Sequence, residues 1–412
     1  MTNINQRELL GKVEASPTMP NPNRSLAGKY AIVGVGQSDI GQVPGSSSLG
    51  LLNQAMHNAT ADAGITKSDI DGIICRGPDD IYAHHQRMGE LLGIDAHFST
   101  TLDNGGASQI LSIILAVMAI DAGLCEVVLC GYGRDSWSRT HRDAEARMGV
   151  PLVPPEQERS EFNAEVGMFG AVAMHALGAT RHMSLYGTTK DHFGAIATTF
   201  REHALLNPTA QMKQPLTIDK YHSGRPIVEP FNVYDCSLVT DGAGAVVVCS
   251  AEKARSLAQK PVLISGFGTF NNLRGWFYDE HMVDTAAIQS GAKAYSMAGI
   301  TAKHIDTAQI YDCFTYMVLT QLEDYGFCTK GEGGDFVASG AIKLGSSLPC
   351  NTSGGQLSEG HVEGMLQILE AVRQLRGSYR PPRQVENAEW ALVSGHGGNT
   401  VCHSSLILQR AD

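Results

Sequence analysis

The hydrophobic and polar positions of the chain follow two alternating periods. A run of apolar residues at 30–36 ends in glycine and predicts a buried strand. Apolar residues at helical spacing over Ser48–Ala63 predict a helix, which Gly64 ends. The same order recurs downstream, with a strongly apolar helix at 108–122 and a strand at 126–130. Strands that alternate with helices predict βαβ units, and hence an α/β fold in which helices cover both faces of a sheet.

Two segments of the chain repeat one another. Residues 63–71 read Ala-Gly-Ile-Thr-Lys-Ser-Asp-Ile-Asp and residues 298–306 read Ala-Gly-Ile-Thr-Ala-Lys-His-Ile-Asp, at a constant offset of 235. A second similarity relates two helix-strand units: one helix ends at Gly123 and the other at Gly377, and an apolar strand follows each. Chance similarity of two helix-turn-strand units is the alternative. Two matches in the same order favour an internal duplication, with the active site between two similar halves.

This pattern also divides the chain. Residues 1–26 are polar and are predicted to be a flexible arm, while 27–255 and 260–412 form the two halves. Within the first half, residues 134–232 mix arginine, histidine, methionine and proline with short helical pieces, without a regular strand. We interpret them as an inserted loop region over the ends of the sheet, the usual place for a substrate cover.

Composition and charge exclude several classes of function. The 412 residues are 43% hydrophobic and carry a net charge of −11, which disfavours nucleic-acid binding because that function normally needs a basic surface. The N-terminal residues lack the apolar core of a signal peptide, and no apolar run reaches the ~18 residues of a membrane span. We expect a soluble, cytoplasmic protein. The nine cysteines have no CxxC spacing, so we expect reduced thiols and no metal site.

Four polar or glycine-rich segments, at 103–108, 309–315, 351–364 and 394–399, carry the candidate chemistry. Glycines beside a helix N-terminus leave backbone N–H groups free to bind a negatively charged oxygen, and histidine is the common proton carrier near neutral pH. Taken singly, each segment is equally typical of a helix cap or a turn.

Taken together, in this order on a duplicated chain, the segments resemble the thiolase superfamily, and within it the branch of sterol-carrier-type thiolases and non-specific lipid-transfer proteins. The resemblance covers essentially residues 28–409. Tyr311-Asp-Cys-Phe314 stands where that branch usually has His-Asp-Cys-Phe, and Asn351-Thr-Ser-Gly-Gly355 with Gly360-His361 matches the loops of true thiolases. The resemblance implies a five-layer αβαβα fold of two similar halves with an inserted loop domain. It also implies a homodimer, to which the apolar residues at 110–120 would contribute.

The departures from the family bear on the reaction. In true thiolases an acyl-accepting cysteine opens a helix in the first half, and here Gly106 occupies that position. The second cysteine is replaced in the region 395–397, and Cys402 lies beyond that loop. Because a thiolysis intermediate needs a reactive sulfur, ordinary acyl-enzyme chemistry is disfavoured.

The remaining groups suit retro-aldol cleavage of a β-hydroxyacyl-CoA through a thioester enolate. The resemblance implies catalytic roles for Tyr311, His361 and His396, with Tyr311 facing His361. It implies that the oxyanion and the substrate are bound by Gly106, Asn351, Gly354, Gly355 and Gly397. Cysteine-free relatives include the aldolases of bacterial steroid side-chain degradation, which commonly have a second tyrosine in place of His361.

Such aldolases work with a small partner that contains an OB-fold and a zinc ribbon, so the resemblance implies a homodimer within a heterotetramer. CoA would enter as part of the substrate, with no permanently bound cofactor. The CoA phosphates have candidate partners in Arg134, Arg139 and Arg142, for which a solvated basic turn is an equal alternative. Claisen-type acyl transfer and a non-catalytic lipid or acyl-CoA carrier remain the alternatives, and the sequence does not specify the acyl group.

Overall fold

The structure, a computed structural model, describes residues 24–76, 81, 83–142, 165–168, 170–272, 282–398 and 402–411. Most described strands form one mixed sheet of nine. The strands are β1 (Tyr30–Gln37), β2 (Gly72–Arg76), β3 (Phe98–Thr101), β4 (Val127–Asp135), β5 (Pro226–Val228), β6 (Phe231–Asn232), β7 (Asp241–Ser250), β8 (Val262–Asn271), β9 (Thr307–Gln309), β10 (Trp390–Gly397) and β11 (Cys402–Arg410).

Helices connect most of these strands along the chain. The described α-helices are α1 (Ser48–Ala63), α2 (His84–Leu92), α3 (Ser108–Asp121), α4 (Ser136–Arg142), α5 (Gly170–Tyr186), α6 (Lys190–Leu205), α7 (Ile218–His222), α8 (Ala251–Ala254), α9 (Ala287–Ala298), α10 (Thr315–Asp324), α11 (Gly333–Ala338), α12 (Gly355–Ser358) and α13 (Met365–Arg376). Within the part of the chain that the structure describes, no helix is long and apolar enough to cross a membrane.

The order of the strands shows the duplication directly. The sheet runs β3-β2-β4-β7-β1-β8-β11-β10-β9, so that β2, β4, β7 and β1 of the first half mirror β9, β10, β11 and β8 of the second. In both halves the outer pair is parallel (β2 with β4, β9 with β10) and the two inner pairs are antiparallel. The halves meet where β1 pairs antiparallel with β8.

The repeated sequence folds identically in the two halves. Gly64 ends α1 and Gly299 ends α9 with φ of 68° and 72°, the left-handed conformation that favours glycine at a helix C-terminus. Two residues later, Thr66 and Thr301 each begin a short 3-10 turn with a capping box. The local structure therefore follows the repeated residues, as a duplication requires.

The core forms three apolar clusters that separate five layers. α3 and α13 lie in the middle layer and contact strands of both halves, so their apolar residues are buried on several sides. Alternate residues of β4 divide between layers: Val128 packs toward this middle layer and Val127 toward the outer helix α1. In the second half, α9 and α10 cover the outer face. The five-layer α/β prediction is confirmed.

The middle layer changes the interpretation of the apolar residues at 110–120. Most of them, including Ile110, Ile113 and Val117, are buried inside the chain, and Met118 is the large apolar residue of α3 that is mainly exposed, at 55%. These residues therefore stabilise the contact between the two halves. The expectation that they form a large apolar surface for dimerisation is wrong.

Where the structure describes the inserted region 134–232, it is more regular than the sequence indicated. It contains the long helices α5 and α6 and the short hairpin of β5 and β6. α6 buries Phe193, Ile196 and Phe200, whose helical spacing in the sequence was masked by the surrounding polar residues. Residues 143–164 and 169 lie outside the described residues.

Candidate active site

Tyr311 lies two residues after the end of β9, and its backbone N–H and carbonyl are both hydrogen-bonded. Its backbone N–H donates to Ser394 Oγ at 2.7 Å, and its carbonyl accepts from Gln321 Nε2 at 2.8 Å. Ser394 Oγ in turn donates to Gln321 Oε1 at 2.7 Å, which closes the network. Because every group in this network is buried and paired, the direction of the Tyr311 side chain is fixed by the fold.

The Tyr311 phenol takes the space in which a side chain at position 106 would lie. A Cβ atom built on Gly106 would be 2.1 Å from Tyr311 Oη, 2.3 Å from Tyr311 Cζ and 2.4 Å from the carbonyl oxygen of His396. These separations are far below van der Waals contact. The hydroxyl group of Tyr311, from the opposite half of the chain, therefore lies where the family's cysteine side chain would be.

The two glycine-rich turns that surround this phenol are in direct backbone contact. A Cβ on Gly397 would be 2.2 Å from the carbonyl oxygen of Asn104 and 3.0 Å from the backbone nitrogen of Gly106. One on Gly395 would be 3.1 Å from Ala107 Cα. The structure thus brings Gly106 and Gly397 together and leaves no room for a cysteine side chain in either turn.

His361 begins the loop that leads to α13, and its backbone N–H donates to Thr240 Oγ1 at 2.9 Å. Ring atom Nδ1 lies 3.2 Å from Ser237 Oγ, whereas Nε2 is buried without a hydrogen-bond partner among the described residues. Burial, with the nearby Arg134, lowers the pKa of His361 to about 4. The imidazole is therefore neutral near pH 7 and can accept a proton.

Glu363 places charge beside both Tyr311 and His361. It accepts hydrogen bonds from Arg134 Nη1 at 2.8 Å, from the Tyr132 hydroxyl at 3.1 Å and from Arg76. Burial is the main cause that raises the pKa of Tyr311 well above its usual value; Glu363 raises it further and Arg134 opposes the rise. Tyr311 is accordingly a proton donor, and the two candidate catalytic groups share one electrostatic environment.

Two of the three candidate CoA-binding arginines are paired with carboxylates of this chain. Arg134 bonds Glu363, and Arg139 Nη2 lies 3.4 Å from Asp135 Oδ1. The side chain of Arg142 lies outside the described residues. Arg134 contributes to the field around the site, and its interaction with CoA stays a prediction.

Asn351 and the glycines that follow it contact other parts of the protein beside the site. Asn351 Oδ1 accepts from the Ile310 N–H at 2.7 Å, and Nδ2 donates to the Ile310 carbonyl at 2.8 Å, so the amide fixes the strand end before Tyr311. The N–H of Gly354 donates to the Asn351 carbonyl at 2.8 Å. A Cβ on Gly355 would be 2.2 Å from Asp312 Oδ2.

The first backbone N–H groups of α12 have an internal acceptor. Gln356 N and Leu357 N donate to the two carboxylate oxygens of Asp312 at 2.9 and 3.2 Å. Burial raises the pKa of this carboxyl to about 7, and these hydrogen bonds oppose the rise. The side-chain amide of Asn351 and the N–H of Gly354 are thus used within the protein, and substrate binding by Asn351, Gly354 and Gly355 stays a prediction.

The loop of Asn351 contacts a buried histidine, His203, which makes the stability of the fold depend on pH. His203 Nδ1 lies 3.2 Å from the Asn351 carbonyl, and Nε2 accepts the Leu344 N–H at 3.1 Å, so only the neutral ring fits. Burial lowers its pKa to about 4. The unfolded chain binds the proton first, near pH 6.5, and stability is therefore lost as the pH falls from about 6.5 through 4.

We expect His203→Gln to reduce this acid sensitivity, because an amide can donate to Asn351 and accept from Leu344 without titrating. When free energies of unfolding are measured from pH 7.5 to 4, the wild type should lose about 3 kcal/mol more than the variant as the pH falls. His57→Gln, at an exposed position, is the control and should leave the profile unchanged. Parallel curves for wild type and His203→Gln would contradict the assignment.

His396 lies against Tyr311, with ring centroids 5.9 Å apart, and its Nε2 is 3.2 Å from His175 Nε2. Burial is the main cause that lowers the pKa of His396 well below its usual value. His175 was missed from the sequence because it lies on α5, inside the segment interpreted as a loop. Cys313, two residues beyond Tyr311, was also missed as a neighbour of the site; burial raises the pKa of its thiol, which disfavours a nucleophilic thiolate.

Comparison with known proteins agrees with this geometry. Residues 271–410 match the family described as thiolase C-terminal domain-like. The chain is 35% identical to the steroid side-chain-cleaving aldolase of Thermomonospora curvata, over 93% of this chain and 98% of that protein. It is also 35% identical to the 17-hydroxy-3-oxo-4-pregnene-20-carboxyl-CoA lyase of Mycobacterium tuberculosis, over 93% and 100%. A solved Ltp2-ChsH2(DUF35) aldolase superposes with a TM-score of 0.84 at 33% identity, covering 93% of this chain and 98% of the solved chain.

Proposed function

The chain belongs to the steroid side-chain-cleaving aldolases of the thiolase superfamily, and we propose that it cleaves the Cα–Cβ bond of a β-hydroxyacyl-CoA by a retro-aldol reaction. One observation carries the proposed mechanism: the hydroxyl of Tyr311 fills the space of the side chain that would act as the nucleophile at position 106. A proton donor in that place suits an enolate intermediate, whereas a covalent acyl-enzyme has no sulfur to form on.

The proton transfers divide between two residues. His361, neutral and with an unpartnered Nε2, takes the proton of the β-hydroxyl group as the Cα–Cβ bond breaks. The oxygen keeps its electron pair as a new carbonyl, so a ketone or aldehyde leaves, and the electrons of the broken bond form the thioester enolate. Tyr311 then donates its proton to the α-carbon. The proton held by His361 returns to the phenolate through solvent, which restores both groups.

Backbone groups of the two glycine turns would stabilise the enolate oxygen. Gly106 and Gly397 lie in backbone contact with each other, and the Tyr311 hydroxyl lies beside Gly106. A well-placed N–H donor contributes on the order of 3 kcal/mol to an oxyanion transition state. His396, whose ring packs against Tyr311, is the positioning residue of the three predicted catalytic groups.

His361→Ala should lower kcat for ketone or aldehyde release by about 10²-fold, since general base catalysis typically contributes this much. KM should change little, because the lost interaction is made mainly as the bond breaks. His304→Ala is a matched control on an exposed histidine of the second half. An equal fall in kcat for the two variants, or none for His361→Ala, would remove His361 from the mechanism.

We further propose that the chain works as a homodimer bound to a small protein with an OB-fold and a zinc ribbon, in a heterotetramer. Support comes from the solved two-component relative, whose name joins Ltp2 to ChsH2. β3 forms one edge of the nine-stranded sheet, and such an edge favours pairing with a second chain. Light scattering on the co-expressed proteins should give the mass of two copies of each.

The decisive experiment incubates the protein with a β-hydroxyacyl-CoA, in the presence and absence of free CoA. An aldolase releases a ketone or aldehyde and a shortened acyl-CoA, with no consumption of free CoA. Consumption of CoA, with inhibition by a thiol-alkylating reagent, would instead establish thiolase chemistry. Binding of acyl-CoA without turnover, unaffected by changes at Tyr311, would establish a carrier and overturn the proposal.

A further inference from the structure

A cluster of two histidines and one cysteine lies beside the candidate active site. His175 comes from α5, Cys313 from the turn before α10, and His396 from β10, so three separate parts of the chain supply one side chain each. One ligand atom of each residue lies within 4.8 Å of the other two. Both imidazoles are buried, with 2% and 3% of their surfaces exposed. No other group of this kind occurs among the residues that the structure describes.

The imidazole of His175 is oriented as a ligand would be. Its Nδ1 lies 2.7 Å from the carbonyl oxygen of Ala171, one helical turn earlier on α5. A carbonyl only accepts, so Nδ1 carries the proton and Nε2 presents its lone pair. A backbone carbonyl bound to the second ring nitrogen is the usual support of a metal-binding histidine. The Phe314 ring, with its centroid 4.7 Å away, holds the imidazole from the side.

The lone pair of His175 Nε2 is directed at the corresponding atom of His396. The two nitrogens are 3.2 Å apart. A tetrahedral ion with metal–nitrogen bonds of about 2.0–2.1 Å separates two such ligands by about 3.4 Å. The pair of imidazoles is therefore already close to the spacing that a shared ion requires. The Cys313 sulfur lies within 4.8 Å of both nitrogens, against about 3.6 Å for ligands of one tetrahedral ion.

We propose that His175, Cys313 and His396 form a three-ligand site for a divalent transition-metal ion, with Zn²⁺ as the favoured occupant. Two imidazoles and a thiolate are the donors that zinc prefers, and three protein ligands leave a fourth position open for water or a ligand. Binding replaces the proton of the thiol: the S–H bond breaks, sulfur keeps the electron pair for the metal, and one proton passes to solvent. No oxidation or reduction is involved.

Cobalt(II) tests the site without any acyl-CoA, so the result does not depend on the proposed function. The full chain, freed of metal by a chelator, is titrated with Co²⁺ and then with Zn²⁺. We expect one Co²⁺ per chain, a sulfur-to-cobalt charge-transfer band in the near ultraviolet, and displacement of the cobalt by Zn²⁺. Zn²⁺ should also raise the unfolding midpoint, because it binds the native state.

Cys313→Ser should abolish the charge-transfer band, and His175→Gln should weaken Co²⁺ binding at least tenfold. The matched control is Cys236→Ser, at a second half-buried thiol outside the cluster, which should bind as the wild type does. The unfolding midpoints without metal confirm that each variant is folded. Less than one ion per two chains, or a charge-transfer band that survives Cys313→Ser, would overturn the site. In that case the contact between the two imidazoles is a hydrogen bond, and the aldolase proposal is unaffected.

Discussion

Tyr311→Phe should lower the rate of ketone or aldehyde release by 10²-fold or more while the protein remains folded. The change removes one oxygen atom, which lies in the space beside Gly106, and leaves the aromatic ring in its packing against Gly364 and His396. The backbone of residue 311 keeps its bonds to Ser394 and Gln321. The loss thus isolates the proton that the phenol donates, for which general acid catalysis typically accounts for 10²–10⁴ in rate.

Initial rates of carbonyl product release, measured at saturating β-hydroxyacyl-CoA, check this expectation. Tyr295→Phe is the matched control, because it removes another partly buried hydroxyl, bonded to the Tyr325 carbonyl at 3.3 Å in the second half. That variant should retain a rate within about threefold of the wild type, in keeping with the loss of one neutral hydrogen bond remote from the site. A Tyr311→Phe enzyme with an unchanged rate would remove the phenol from the reaction.

Gly106→Ala should be as damaging, for a steric reason. The added methyl group would be 2.1 Å from Tyr311 Oη and 2.4 Å from the His396 carbonyl, and neither the fixed ring nor the opposing backbone can retreat easily. We expect activity to fall at least 10²-fold, with a loss of about 1–3 kcal/mol in the free energy of unfolding from overpacking. Gly106→Cys should behave in the same way and should not create thiolase activity.

Steady-state rates and denaturant unfolding of the two variants measure both effects. Gly89→Ala is the control: this glycine lies inside α2, and a Cβ there would meet its nearest neighbour at an ordinary 3.6 Å. It should leave activity unchanged and raise stability slightly, since alanine favours a helix over glycine. Thiolysis of a β-ketoacyl-CoA by Gly106→Cys, or full aldolase activity in Gly106→Ala, would show that the phenol does not occupy this space in solution.

The fold was predictable because the same short sequence signals occur at equivalent positions of the two halves. Gly64 and Gly299 end equivalent helices, and the threonines that follow begin equivalent turns, so short-range rules of capping and helix termination applied directly. The sequence indicated only short helical pieces in the region of residues 170–205, where the structure has two long helices. Their apolar residues pack against α10 and α12, and the intervening polar and histidine residues concealed the helical period.

The candidate site was predictable in its residue types and less so in its geometry. The order of the motifs indicated Tyr311, His361 and the turns of Gly106 and Gly397 as candidates, and their catalytic roles stay predictions. Whether an amide faces substrate or protein is decided by long-range packing, and Asn351 proved to hold the strand end before Tyr311. The convergence of His175 with Cys313 likewise depends on how α5 docks on the second half, which no local pattern encodes.

The pairing of β1 with β8, together with the shared middle layer, has a consequence for how such a protein could have arisen. Either half made alone would present an open strand margin and the bare apolar flank of α3 or α13 to water. A single ancestral unit would therefore be stabilised by association with a second copy of itself. In the present chain the halves differ where they meet at the site, because Tyr311 of one fills the space beside Gly106 of the other.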